Sequence, residues 1–150
     1  MPNYETLDTI ADAYIPILAL FSLIAIAIPA TQHRRKVATQ RLLKILIFAA
    51  IAFGLMFIDS WLGLWPAFGL DYSSHTAVSL VLVIFLSLIN KKLIIFWMVS
   101  FIAYLLLMRY QQYHTFADMV TTTVAVIIPT WMVAAYFYHL WPFRRNSYDR

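Results

Sequence analysis

The side chains in this 150-residue sequence best suited to acid–base or nucleophilic chemistry are His75, His114 and Asp118, with Arg109 suited to binding an anion. His114 and Asp118 are four residues apart, so on a helix they would share a face, one turn apart. A carboxylate in that position fixes an imidazole in one tautomer and raises its basicity, which suits a general base or a nucleophile. The plainer reading is a hydrogen-bonded pair at a helix end. His75 follows Ser73 and Ser74, either of which can N-cap a helix whose first-turn amides attract an anion. Ordinary capping beside an interfacial histidine is the plainer reading there. The planar fork of Arg109 matches a phosphate, and its alternative is a snorkelling arginine paired with Asp118, Asp71 or lipid headgroups. Asp59 joins the set as a structural partner for Arg109 more readily than as a catalytic acid. No metal is expected, because the histidines are few and lack ligand spacing. The absence of cysteine removes thiolate sites, disulfides and a cysteine nucleophile.

The elements that must position these residues are membrane helices. The chain is 63% hydrophobic and only 12% charged, whereas a soluble domain carries about 25% charged residues. A fold in water could not hide so much apolar surface in so small an interior. Continuous rather than alternating apolar runs select helices over strands. The expected architecture is an all-α polytopic membrane bundle, a single domain over 1–150, with spans at about 13–32, 42–62, 74–89, 93–110 and 116–141. A span needs roughly 20 residues, and the third and fourth approach that only with their polar-ended flanks. Residues 3–14 carry Tyr4, Leu7, Ile10 and Tyr14 at helical spacing among acids and threonines, making 1–12 either a short interfacial outer helix or a frayed terminus. Trp61, Trp65, Trp97, Trp131 and Trp141 mostly lie near segment ends, as interfacial anchors do. Pro16, Pro29 and Pro129 fall within or at the end of spans.

Charge placement orients the bundle. Arg34, Arg35, Lys36, Arg41 and Lys44 lie at the first connection, Lys91 and Lys92 at the third, and Arg144, Arg145 and Arg150 at the C-terminus. Five spans put all of these on one side, which the positive-inside rule makes the cytoplasm, with the N-terminus outside. Arg109 alone falls outside, beside Glu5, Asp8, Asp12, Asp59, Asp71 and Asp118. Residues 1–13 are acidic, the reverse of the basic start of a cleavable signal. The basic residues thus serve topology, and no nucleic-acid partner is expected despite the net charge of +4. A bacterial inner membrane with an extracytoplasmic site is the plain expectation.

In order and topology, residues 42–141 resemble the phosphatidic acid phosphatase type 2 superfamily of membrane phosphatases and phosphotransferases. The residues that carry this are Tyr72-Ser73-Ser74-His75 at the start of one span, then Arg109 and His114-Thr115-Phe116-Ala117-Asp118 opening a later one. The branch containing inositol-phosphorylceramide synthases looks closer. The resemblance implies a lipid phosphate or phosphodiester substrate and no cofactor. His114 would attack phosphorus, Asp118 would orient it, and His75 would protonate the leaving oxygen. Ser73, Ser74 and Arg109 would hold the phosphoryl oxygens. The pattern also departs from the family: Tyr72 and Ser74 stand where proline and usually glycine occur. Four residues, not the common five, separate Arg109 from His114. The stretch from Asp59 to Leu70 holds no Lys or Arg, where the family supplies two phosphate-binding cations. That loss fits a less charged substrate, such as a phosphodiester headgroup, or a fold that has lost the reaction. Two other classes compete: a haem-binding anchor subunit ligated by His75 and His114, and a non-catalytic membrane scaffold.

Overall fold

The computed structural model of the chain describes residues 4–140, and the side chains of 6–137. Glu5, Trp141, Arg144, Arg145 and Arg150 lie outside the described side chains. The regular elements among the described residues are all helical: α1 (Tyr4–Thr31), α2 (Arg35–Leu62), α3 (Ser74–Ile89), α4 (Ile94–Tyr110) and α5 (Phe116–Leu140). Short 3₁₀ turns at Pro66–Phe68 and Lys91–Leu93 punctuate two connections. Four helical stretches are long and apolar enough to cross a bilayer, and the shorter apolar α3 sits among them. The protein is an integral membrane helical bundle.

The centre of that bundle is α3. Ala77, Ser79, Leu80, Val81, Val83 and Phe85 on it are almost wholly buried, and α1, α2, α4 and α5 all pack against it. Around it the helices run in the order α4, α1, α2, α5. Sixteen residues give α3 about 24 Å at 1.5 Å per residue, short of a hydrocarbon core of roughly 30 Å. A helix screened from lipid on most sides has no need to match the bilayer. Small residues at its contacts, Ala77 and Ser79 facing elements such as Ala52 of α2, allow close approach where lipid offers no hydrophobic driving force between helices. Outside the core, whole rows of leucine, isoleucine and phenylalanine remain exposed on α1, α2, α4 and α5, the surface that acyl chains cover.

In α1 there is no break between an outer amphipathic piece and a span: one 28-residue helix runs from Tyr4 to Thr31. Its first turns neither fray nor lie flat but rise along α4, where Ala11 is buried with Tyr104, Met108 and Met119. Pro29 removes the amide that would bond the Ala25 carbonyl. The guanidinium of Arg41 on α2 reaches across and donates to that carbonyl, which explains a cation inside span two. At the other end of α2, Gly63 adopts φ 60°, a left-handed cap that glycine occupies without Cβ strain. The chain then turns so that the Trp65 amide donates to the Asp59 carboxylate at 2.8 Å.

The tryptophans divide into two kinds. Trp61 and Trp131 are widely exposed, but Trp65 and Trp97 are buried and serve packing rather than the lipid interface. Trp65 Nε1 donates to Thr121 Oγ1 on α5 at 3.0 Å, pinning the α2–α3 connection to α5. Trp97 meets the Phe21 ring edge-on at 5.7 Å.

Candidate functional site

The polar residues singled out by the sequence gather where the lead-in to α3 meets the α4–α5 joint, residues 111–115. The segment 70–73 is extended as it approaches α3, and extended residues two apart present their amides to one side. On α5, Asp118 and Thr122 are one turn apart and face the same way. The two periods match. The Asp71 amide donates to Asp118 Oδ1 at 2.9 Å, and the Ser73 amide donates to Thr122 Oγ1 at 3.1 Å. Tyr72, between them, points the other way. Its hydroxyl donates to the Ala52 carbonyl at 2.7 Å, and its ring meets Trp65 edge-on. Burial, and then the charge of Asp59, push the Tyr72 hydroxyl up to about 12.

The start of α5 departs from the spacing argument. The helix begins at Phe116, so His114 precedes it and does not share a helical face with Asp118. The partner of Asp118 is instead Thr115. The Thr115 amide donates to Asp118 Oδ2 at 2.8 Å, and the Asp118 amide donates to Thr115 Oγ1 at 3.2 Å, a reciprocal capping box. Both carboxylate oxygens of the buried Asp118 therefore hold backbone amides.

His114 itself is half-buried. Burial pushes its imidazole below the ordinary value of 6.5; the Asp118 charge opposes this, His75 adds to it, and Asp71 opposes it. All three neighbours act electrostatically on His114, which joins His75 and Asp71 of the α3 lead-in to His114 and Asp118 of the α4–α5 joint, two stretches of chain. His75 is exposed, in the first turn of α3. It lines a small cavity with Ala11, Asp12, Tyr104, Met108 and Tyr113.

Other expected members stand apart. Ser73 is fully buried, and its hydroxyl is engaged with the Thr76 hydroxyl at 2.8 Å and amide at 3.3 Å. It caps α3 and is closed to a substrate. Ser74 remains half-buried and makes no side-chain hydrogen bond among the described residues. Asp59 serves the Trp65 turn, not Arg109. Arg109 continues the lipid-facing stripe of Ile95, Val99, Ile102 and Leu106 at helical spacing, opposite the buried Trp97, Phe101, Tyr104 and Met108. It is exposed and forms no ion pair among the described residues. The side chain that was to grip phosphate faces outward from the bundle, because a helix carries position 109 roughly 100° away from the inward Met108.

Sequence reasoning missed the contribution of α1. Asp8 accepts from the Tyr113 hydroxyl and from Gln111 Nε2, tying the first helix to the α4–α5 joint, and Asp12 lines the cavity beside His75. No local signal links residues 8 and 12 to residue 113. The Thr115-x-x-Asp118 capping pattern, by contrast, was readable.

Among the described residues, no three His, Asp or Glu side chains come together as metal ligands. The cavity beside His75 has a volume of about 40 Å³. Compared with models of known families, with curated proteins and with solved structures, the chain matches none.

Proposed function

We propose that this membrane protein transfers a phosphoryl group from a lipid, at the extracytoplasmic end of the bundle, through a phosphohistidine on His114. One observation carries this reading. His114 lies half-buried beside His75, Asp71 and Asp118, and its burial keeps the imidazole in the neutral, nucleophilic form. The lone pair of His114 attacks phosphorus while the bond from phosphorus to the leaving oxygen breaks. His75, protonated, gives its proton to that oxygen. The neutral His75 then takes a proton from water or an alcohol, which attacks phosphorus and releases His114. Asp118, fixed by two amides, supplies negative charge close to the imidazole as it becomes cationic. The amides of Ser74 and His75 in the first turn of α3 offer donors and the helix dipole to the phosphoryl oxygens.

Arg109 has no part in the transfer. Facing out at the end of α4, it meets headgroups of the surrounding leaflet.

A second reading is favoured by one specific fact: both oxygens of Asp118 are already committed to backbone amides, as in a clamp that only ties helix ends together. The two readings differ for wild-type protein and a His114→Ala variant purified in detergent. Transfer predicts release of phosphate or phospho-headgroup from some member of a lipid panel, lost in the variant while its thermal unfolding stays unchanged. If both well-folded proteins are inert across the panel, the clamp reading stands.

A further inference from the structure

The cavity beside His75 is walled by groups that do not suit a phosphate. Asp12 contributes a carboxylate that accepts no hydrogen bond from the described residues. Tyr104 and Tyr113 contribute aromatic rings, and Met108 a polarisable thioether. Tyr104 is held rigidly: Tyr14 stacks on it at 4.3 Å, and the Tyr14 hydroxyl is hydrogen-bonded to Ser100 at 3.0 Å. Tyr113 is fixed by its hydroxyl donating to Asp8. A carboxylate without a hydrogen-bond donor, flanked by two fixed tyrosines, favours a cation.

The charge of this end of the bundle points the same way. Its described charged residues are Asp8, Asp12, Asp59, Asp71 and Asp118 against Arg109 alone, and Arg109 faces away. A dianionic phosphate monoester would meet unbalanced carboxylates there. A phosphodiester that carries its own ammonium is neutral overall and would not.

Size narrows the choice. The cavity holds about 40 Å³, room for about three water-sized groups at roughly 10–15 Å³ each. That accommodates the two carbons and nitrogen of an aminoethyl group. A trimethylammonium group adds three methyls and is the poorer match.

We infer that the cavity formed by Asp12, Tyr104 and Tyr113 beside His75 binds the primary ammonium of an aminoethyl phosphodiester lipid. Its phosphorus would then lie toward His75 and His114. The inference deepens the phosphoryl-transfer reading and rests on it for the fate of the phosphorus, but binding can be measured without turnover.

The test is competition against a fluorescent-acyl phosphatidylethanolamine on the purified protein in detergent. Phosphatidylethanolamine should displace the probe, while phosphatidylcholine, phosphatidylglycerol and phosphatidic acid of the same chain length compete far less well. Free phosphoethanolamine should not displace it, since it lacks the acyl chains that face the bilayer. Asp12→Asn, at an exposed position, should weaken binding by up to about fivefold, the scale of a solvent-exposed ion pair. Tyr113→Leu should weaken it as well. Equal competition by phosphatidylglycerol or phosphatidylcholine, displacement by free phosphoethanolamine, or undiminished binding by Asp12→Asn overturns the inference. Asp12-dependent binding without any turnover would instead count against phosphoryl transfer and leave the cation site standing.

Discussion

At the scale of single residues, burial assigns opposite duties to His114 and Asp118. Asp118 lies at 4% exposure with both oxygens on amides, so its removal strands the Asp71 and Thr115 donors. An unsatisfied buried donor costs about 1–3 kcal/mol. Asp118→Ala should therefore lower the thermal midpoint clearly, whereas His114→Ala should barely move it. An Asp118→Ala protein that melts like wild type would remove the clamp from the account. For His114 the sign of the pH effect follows from its depressed midpoint. Between that midpoint and the ordinary 6.5, the unfolded chain binds more protons than the folded one. Stability contributed by the neutral ring is present above 6.5, falls as pH drops toward the folded midpoint, and levels off below it. An NMR titration should place His114 below 6.5 in the folded protein, and a midpoint above 6.5 would mean that Asp118 and Asp71 outweigh burial. Of this cluster, the sequence placed His75, Asp71, His114 and Asp118 at one end of the bundle. It did not reveal that His114 lies outside the helix, because the competing Thr115–Asp118 cap decides where α5 starts.

At the scale of helices, the five helices were legible from apolar run length, since long continuous apolar runs select helices over strands. The continuity of α1 was not, because acids and threonines in its first turns read equally well as interfacial or frayed. What holds them is a tertiary contact, Asp8 to Tyr113 and Gln111, between residues about a hundred positions apart. The outward facing of Arg109 was readable in principle: it shares the helical stripe of Ile95, Val99, Ile102 and Leu106. Arg41 offers a test of helix repair. If its guanidinium replaces the amide missing at Pro29, Arg41→Met should cost about 1.5–3 kcal/mol, the range for a hydrogen bond to a charged group. Pro29→Ala should relieve most of that loss, because an alanine amide bonds Ala25 directly. Additive effects in the double-mutant cycle would show that the two residues act independently.

At the scale of the whole molecule, the short α3 is the organising element. Held by all four other helices, it sets its N-terminus, and His75 with it, beside the α4–α5 joint. The parallel course of α3 and α5, fixed by the Asp71 and Ser73 amides, brings two distant motifs to one end. The charge sorting belongs to this scale too. Arg34, Arg35, Lys36, Lys91 and Lys92 lie at the end opposite His75 and His114. Because the chain has no cysteine, single cysteines can be introduced without background. A cysteine at Asn90 should react with a membrane-impermeant maleimide only after the cytoplasmic face is opened, and one at Gln112 in intact cells. The reverse pattern would invert the orientation and put the site in the cytoplasm.

The central claim is that His114 takes the phosphoryl group covalently. Wild-type and His114→Ala proteins should be incubated with lipids radiolabelled at phosphorus, quenched in alkali and digested. Wild type should yield an alkali-stable, acid-labile label on the peptide containing His114, and the variant none. Turnover of the lipid by wild type with no label, or equal labelling of the variant, would contradict the phosphohistidine and with it the mechanism built on this site.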